Sequence, residues 1–172
     1  MRHLILMRHA KAVPAAPGQA DRDRPLAERG HRDAALIGQS IAEDLPPDLM
    51  LCSPALRTME TMTDVAAAFS GTTKSVAVDS LYGGDPAAYL AAVADGGGRA
   101  QCLLVIGHNP AIHETAAMLA REPGAKMRAK FPTGAVAILA FDVDDWSAAR
   151  PGMGKLVRFL RPKDLGAGDA DD

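Results

Sequence analysis

Arg8 and His9 stand side by side at the end of the apolar run "HLILM" (3–7). Arg57 follows the run "DLMLC" (48–52), and His108 follows the run "QCLLVI" (101–106). Two guanidinium groups are forked donors suited to the oxygens of a phosphoryl group. A neutral imidazole can attack phosphorus and carry the phosphoryl group as a covalent intermediate that water later removes. Taken singly, each residue has an ordinary explanation as a surface arginine or a loop histidine. What joins them is that each lies just past the carboxyl end of an apolar run, where open α/β sheets place their ligands.

The elements that must hold them are legible. Six short runs have strand character: 3–7, 48–52, 74–78, 101–106, 135–141 and 155–160. The uniformly apolar ones suit the interior of a largely parallel sheet covered on both faces. Between them lie helical patterns. Ala34, Ile37, Ile41 and Leu45 recur at helical spacing, as do Met59, Met62, Ala66 and Phe69. Asp85-Pro86 and Asn109-Pro110 each pair a capping residue with a proline suited to the first helical position. Ser53-Pro54 repeats the device, so that Arg57 falls about one turn inside its helix and leans back toward the free N–H groups at the helix mouth. The implied fold is a three-layer α/β/α sandwich with a mostly parallel central sheet. We expect one domain over 1–165, loops at 12–25 and 121–134, and an acidic disordered tail at 166–172.

Composition narrows the function. The chain has 172 residues, a net charge of −2 and 4% aromatic residues, which gives no electrostatic or stacking case for a nucleic-acid or membrane-surface partner. No apolar run approaches the length of a membrane span, and the first is too short for the apolar core of a secretory signal. Cys52 and Cys102 read as buried reduced thiols rather than a disulfide, consistent with a cytoplasmic protein. His108 and His113 are five apart, on different helix faces, and "HETAA" lacks the second histidine of a zincin helix, so a metal site is weakly supported. "PGMGKL" fails as a nucleotide P-loop, because Leu156 stands where Ser or Thr is required. In "CSPALR" four residues separate Cys52 from Arg57, one fewer than in the phosphate loop of thiol phosphatases. Histidine is left as the nucleophile.

Three segments in register, "LILMRHAKA", "LCSPALRTMET" and "VIGHNP", resemble the signature blocks of the histidine phosphatase superfamily, which has the phosphoglycerate mutase-like fold. "DRPLAERGHRDA" and "FPTGAVAIL" are similar to further segments of its short bacterial branch, the phosphohistidine phosphatases of the SixA type. The resemblance implies that His9 is the phospho-accepting nucleophile and that Arg8, Arg57 and His108 bind the transferred group. It implies that Ser53 helps hold the nucleophilic imidazole and adds Arg24 as a further anion contact. Asn109 is read as a helix cap. No metal or other cofactor is implied.

Three departures bear on chemistry. Ala10 stands where the family carries Gly after the nucleophile, and Lys11 where many mutase-like members carry Glu. Larger members place a general-acid Glu after the third strand, where this chain reads "DSLYGGDPAAY" with only Asp79 and Asp85. A substrate with a good leaving group needs less help from an acid. The expectation is therefore a metal-independent phosphatase acting on phosphohistidine of a protein. The alternatives are a small-molecule phosphomonoesterase and a non-catalytic phosphate-binding protein. The oligomeric state is left open. Arg2-His3, the other copy of the Arg-His pair, lies at the opposite end of the first strand and reads as a chance repeat with a solvated arginine.

Overall fold

All six apolar runs form strands, and they join one sheet. The computed structural model describes residues 1–168, so the last four residues of the expected acidic tail lie outside the described range. In chain order the elements are β1 (Arg2–Arg8), α1 (Glu28–Asp44), β2 (Leu49–Cys52), α2 (Leu56–Ala66), β3 (Lys74–Ala77), α3 (Pro86–Gly96), β4 (Cys102–Gly107), α4 (Ala111–Leu119), α5 (Ala125–Ala129), β5 (Val136–Phe141) and β6 (Lys155–Leu160). The sheet order is β3-β2-β4-β1-β5-β6. β3, β2, β4 and β1 are mutually parallel, whereas β5 runs antiparallel to both of its neighbours. Among the described residues no helix is long and apolar enough to cross a membrane.

The pleat sorts the apolar runs into two cores. Leu4, Leu6, Leu103, Val105, Ala137 and Leu139 face one side with Tyr89, Val93, Ile112, Ala116 and Met127 of α3, α4 and α5. Ile5, Met7, Met50, Cys52, Leu104 and Ile106 face the other with Ala34, Ile37, Ile41 and Val65 of α1 and α2. Residues that alternate along one strand thus feed opposite layers, as the period of two requires. Burial on both faces explains why β1 and β4 carry no polar alternation.

The same arrangement creates a crevice. The chain leaves β1 toward α1 on one face and leaves adjacent β4 toward α4 on the other. Strands whose connections diverge leave a gap between their carboxyl ends, the usual ligand position in such sheets. Arg8 is the last residue of β1, and His108 directly follows β4.

Four local expectations are corrected. Helix α2 is capped at Ala55 and begins at Leu56, so Arg57 lies in its first turn. The reason is that the Ser53 hydroxyl is engaged by the His108 imidazole at 2.7 Å. Helix α4 is preceded by Pro110 rather than capped by Asn109, whose amide nitrogen instead donates to the Phe131 carbonyl at 2.8 Å. The segment 121–134 contains the short helix α5 around buried Met127. Arg2 is not solvated: only 7% of it is exposed. Its guanidinium donates to the carbonyls of Ala100 and Asp144 and lies 5.9 Å from the centroid of the Trp146 ring.

Arg2 therefore closes the amino end of the sheet, far from the crevice. Replacing it with Met should lower unfolding free energy by about 2 kcal/mol, because the Asp144 carbonyl loses its charged donor and the buried Ala100 carbonyl keeps only the Trp146 indole N–H. Urea titration is the measurement, and activity of the folded variant should match wild type.

Candidate active site

The carboxyl end of β1 is fastened before any side chain is considered. The His9 N–H donates to the Gly107 carbonyl of β4 at 3.0 Å, and the Gly134 N–H donates to the His9 carbonyl at 3.0 Å. The Ala10 N–H donates to the Thr61 hydroxyl of α2 at 3.1 Å, and that hydroxyl donates to the Arg57 carbonyl at 2.7 Å. Ala10 is fully buried, so the methyl that replaces the family's glycine hydrogen sits in the apolar layer beneath α1 and α2. At the end of β4 a Cβ on Gly107 would fall 2.1 Å from the Tyr89 hydroxyl. Glycine there lets that hydroxyl accept from the His108 N–H at 3.0 Å and donate to the Leu81 carbonyl at 2.9 Å.

A cavity of 330 Å³ opens above these ends. Its wall includes Arg8, His9, Lys11, Arg24, Arg57, His108, Asn109 and Thr133. The structure thus brings Arg8, His9, Arg24, Arg57 and His108 together, with Ser53 directly behind His108. Among the described residues four cations share the wall and no carboxylate does. The field inside suits an anion of phosphoryl size. Among the described residues no group of three or more His, Cys, Asp or Glu side chains is arranged to hold a metal ion.

The two imidazoles face one another with ring centroids 5.3 Å apart. His9 Nδ1 is 2.7 Å from the Ala10 carbonyl oxygen. A carbonyl only accepts, so Nδ1 carries the proton and Nε2 keeps its lone pair. His108 has the opposite tautomer. Arg57 Nη2 donates to His108 Nδ1 at 3.3 Å, so Nε2 carries the proton and donates to Ser53 Oγ. Ser53 therefore supports His108, not the His9 imidazole that family resemblance implied.

Both imidazoles are held neutral. Burial is the first cause that pulls His9 down to about 3; the Ala10 carbonyl opposes it, and His108 with the Arg57 and Arg8 charges adds to it. Burial also leads for His108, pulled down to about 4, with Arg57 next. The guanidinium groups singled out from sequence thus contribute less than desolvation does. Cys52 takes no part in this chemistry: burial pushes its thiol up to about 12, and its sulfur lies against the Ser53 carbonyl. Cys102 is likewise buried and unpaired.

Arg8 Nη1 donates to the Phe131 carbonyl at 3.2 Å, the same oxygen that Asn109 engages. Arg24 Nε donates to the Val13 carbonyl at 2.9 Å. Both expected loops, 12–25 and 121–134, thus supply cavity walls. Of the two carboxylates considered from sequence, Asp85 caps α3 by accepting from the Ala88 N–H at 2.9 Å, and neither Asp79 nor Asp85 lines the cavity.

Sequence reasoning missed Thr61, Asp21 and Tyr82. Asp21 Oδ2 accepts from Arg57 Nη2 at 3.0 Å and from the Tyr82 hydroxyl at 2.8 Å. A usable signal existed. The chain has only two tyrosines, Tyr82 and Tyr89, and both hydroxyls serve this site.

The chain is similar to known proteins in sequence and in fold. Residues 4–80 match the model of the histidine phosphatase superfamily, branch 1. An uncharacterized protein of Mycobacterium tuberculosis is 36% identical over 168 residues, covering 91% of this chain and 100% of the relative. A candidate phosphohistidine phosphatase SixA from Nakamurella multipartitia superposes with a TM-score of 0.82 at 32% identity, over 94% of this chain and 96% of that one. The protein histidine phosphatase SixA complexed with tungstate gives a TM-score of 0.75 at 26% identity, over 95% and 99% of the two chains.

Neutral buried imidazoles have a consequence for stability. The folded chain holds His9 and His108 unprotonated at pH values where the unfolded chain protonates them, so the unfolded state binds more protons below pH about 6.5. Stability is therefore fully present above that pH and falls as pH drops toward 4, by about 1 kcal/mol per pH unit for each histidine. Urea titrations at successive pH values should show this slope, and His9→Gln should remove roughly half of it.

Proposed function

The chain belongs to the histidine phosphatase superfamily, and from that premise we propose that it is a metal-independent phosphatase whose nucleophile is His9 and whose favoured substrate is phosphohistidine on a protein. The observation that carries the reading is an uncharged His9 with its Nε2 lone pair available, in a cavity walled by Arg8, Lys11, Arg24 and Arg57. In the first step the Nε2 lone pair forms an N–P bond while the bond from phosphorus to the leaving group breaks, its electron pair departing with that group. Arg8, Arg57 and His108 hold the phosphoryl oxygens, and the guanidinium charges stabilise the negative charge on them in the transition state. In the second step a water oxygen attacks phosphorus. The N–P bond breaks and its electron pair returns to Nε2, releasing phosphate. Arg24 is the additional anion contact, and Ser53 fixes the His108 tautomer.

The leaving group follows from the wall composition. Among the described residues no carboxylate lines the cavity, so a departing alkoxide has no carboxylic acid there to protonate it. A phosphohistidine protonated on its other ring nitrogen leaves as neutral imidazole, the electron pair of the broken N–P bond staying on the released nitrogen. The cavity's 330 Å³ also admits a small phosphomonoester, and esters with acidic leaving groups are the ones this wall favours. Two buried, unpaired thiols suit a reducing compartment, and we place the reaction in the cytoplasm.

The test uses wild type, His9→Ala and Cys52→Ser with an aryl phosphate in EDTA. Wild type and Cys52→Ser should turn over alike, while His9→Ala falls by at least about 1,000-fold. Brief reaction with labelled substrate should leave a base-stable, acid-labile phosphoryl group on His9. Chelator-sensitive turnover, or loss in Cys52→Ser alone, overturns the reading.

A further inference from the structure

We propose that Asp21 is a positioning residue for the anion-binding guanidinium of Arg57, with the Tyr82 hydroxyl as its anchor. The proposal rests on the phosphatase reading and adds a residue to it. Asp21 opens a short 3-10 turn, Asp21–Asp23, in the loop between β1 and α1. From there it grips Arg57 twice. Arg57 Nη1 donates to the Asp21 main-chain carbonyl at 2.8 Å, and Nη2 donates to Asp21 Oδ2 at 3.0 Å. Two bonds from one residue to both terminal nitrogens fix the plane of the guanidinium as well as its position.

What the grip leaves over is informative. The second Nη2 hydrogen meets His108 Nδ1, 3.3 Å away. Arg57 Nε is buried and has no hydrogen-bond partner among the described residues. A buried donor without a partner in a ligand-free site is costly unless a ligand completes it. Asp21 thus occupies the outer edge of the guanidinium, Nη2 spends its second hydrogen on His108, and the Nε–H is left for an oxyanion beside His108. Arg57 enters the cavity from the first turn of α2 with its side chain 7% exposed, and among the described residues no other carboxylate pairs with it.

Asp21 is itself held. Its side chain is 54% exposed, and a lone exposed carboxylate would wander. The Tyr82 hydroxyl donates to Oδ2 at 2.8 Å, and Arg24 Nη1 donates to Oδ1 at 3.0 Å. Tyr82 is located in turn: its ring meets His108 edge-on with centroids 5.6 Å apart, and the Arg22 guanidinium lies 5.9 Å from its centroid. The loop after β1 and the loop before α3 therefore meet across Arg57. The Tyr82 and Arg24 donors and the Arg57 charge hold the Asp21 carboxyl well below the usual carboxylate range, so it stays an ionised acceptor throughout the working pH range.

A competing role for Asp21 is that of a resident anion that occupies Arg57 and must be displaced by substrate. The two roles predict opposite changes in anion affinity. Isothermal calorimetry with orthovanadate, which adopts the trigonal-bipyramidal shape of the transition state, reads this without turnover. Wild type should bind most tightly, Asp21→Ala about tenfold more weakly, and Asp21→Asn in between, because its amide oxygen still accepts from Nη2. Tyr82→Phe should weaken binding less than Asp21→Ala does. With aryl phosphate, kcat should fall in the same order while KM changes little, and thermal midpoints should remain within about 2 °C of wild type. Equal or tighter vanadate binding by Asp21→Ala overturns the proposal in favour of competition. An Asp21→Asn variant no better than Asp21→Ala overturns it in favour of a charge effect. Absence of turnover in wild type, with the vanadate order intact, would refute the phosphatase reading and leave this assignment standing.

Discussion

Like charges crowd one small cavity, and the rest of the structure is arranged around that repulsion. Two unit charges about 5 Å apart in a medium of effective dielectric about 20 repel by about 3 kcal/mol. Arg8, Lys11, Arg24 and Arg57 share the wall, and no carboxylate lines it to offset them. The offsets lie just outside. Carbonyl oxygens of Phe131, Val13 and Asp21 accept from Arg8, Arg24 and Arg57, and the Asp21 carboxylate sits on the far edge of Arg57. Arg57 is thereby paired with Asp21 on one edge and keeps its Nε–H for an anion. Keeping both histidines neutral belongs to the same solution, since protonating either would add a further positive charge to a desolvated site.

Such a site needs a rigid frame, because guanidinium groups that repel one another will swing apart if their backbones allow it. The frame is the pair β1 and β4, whose residues alternate into two separate apolar layers. Locking both faces of the same two strands leaves little freedom at their carboxyl ends. Backbone bonds from His9 to Gly107 and from Gly134 to His9 extend the sheet one residue beyond Arg8. Tyr89 does the same for β4 by bridging the His108 N–H and the Leu81 carbonyl. Arg8, His9 and His108 therefore sit at strand ends or their immediate extensions, and Arg57 on the first turn of α2.

The strand and helix pattern was legible because burial on two faces demands uninterrupted apolar runs, and these stand out between loops rich in Pro, Gly and charge. Arg8, His9, Arg57 and His108 were legible because each adjoins such a run. Ser53, Asn109 and Arg2 were misread for one shared reason. Each has a side chain with a strong local preference, a cap or a solvated charge, and in each a partner distant in sequence overrides it. Ser53 turns to His108, Asn109 to Phe131, and Arg2 to Ala100 and Asp144. Local propensity cannot see partners 22 to 142 positions away. Asp21 escaped notice on the same ground, because a carboxylate in "ADRDRP" has no visible link to Arg57 or Tyr82 until the loop is folded over them.

The two imidazoles have the same chemistry and yet divide the labour by tautomer alone. A main-chain carbonyl can only accept, so the Ala10 oxygen obliges His9 to keep its proton on Nδ1 and its lone pair on Nε2. A guanidinium can only donate, so Arg57 obliges His108 to present its lone pair at Nδ1 and its proton to Ser53. Exchange either partner for a group of the other polarity and the roles would reverse. In the proposed reaction this matters twice over. A His9 whose Nε2 carried the proton has no lone pair there to attack phosphorus. A His108 fixed by Ser53 has Nδ1 on the Arg57 side, where it accepts now and can donate to a phosphoryl oxygen once a proton reaches it. The negative charge of a bound phosphoryl group favours that proton, against the burial and the Arg57 charge that otherwise hold His108 neutral. Charge crowding in the free site and charge neutralisation in the occupied one are thus two states of a single arrangement.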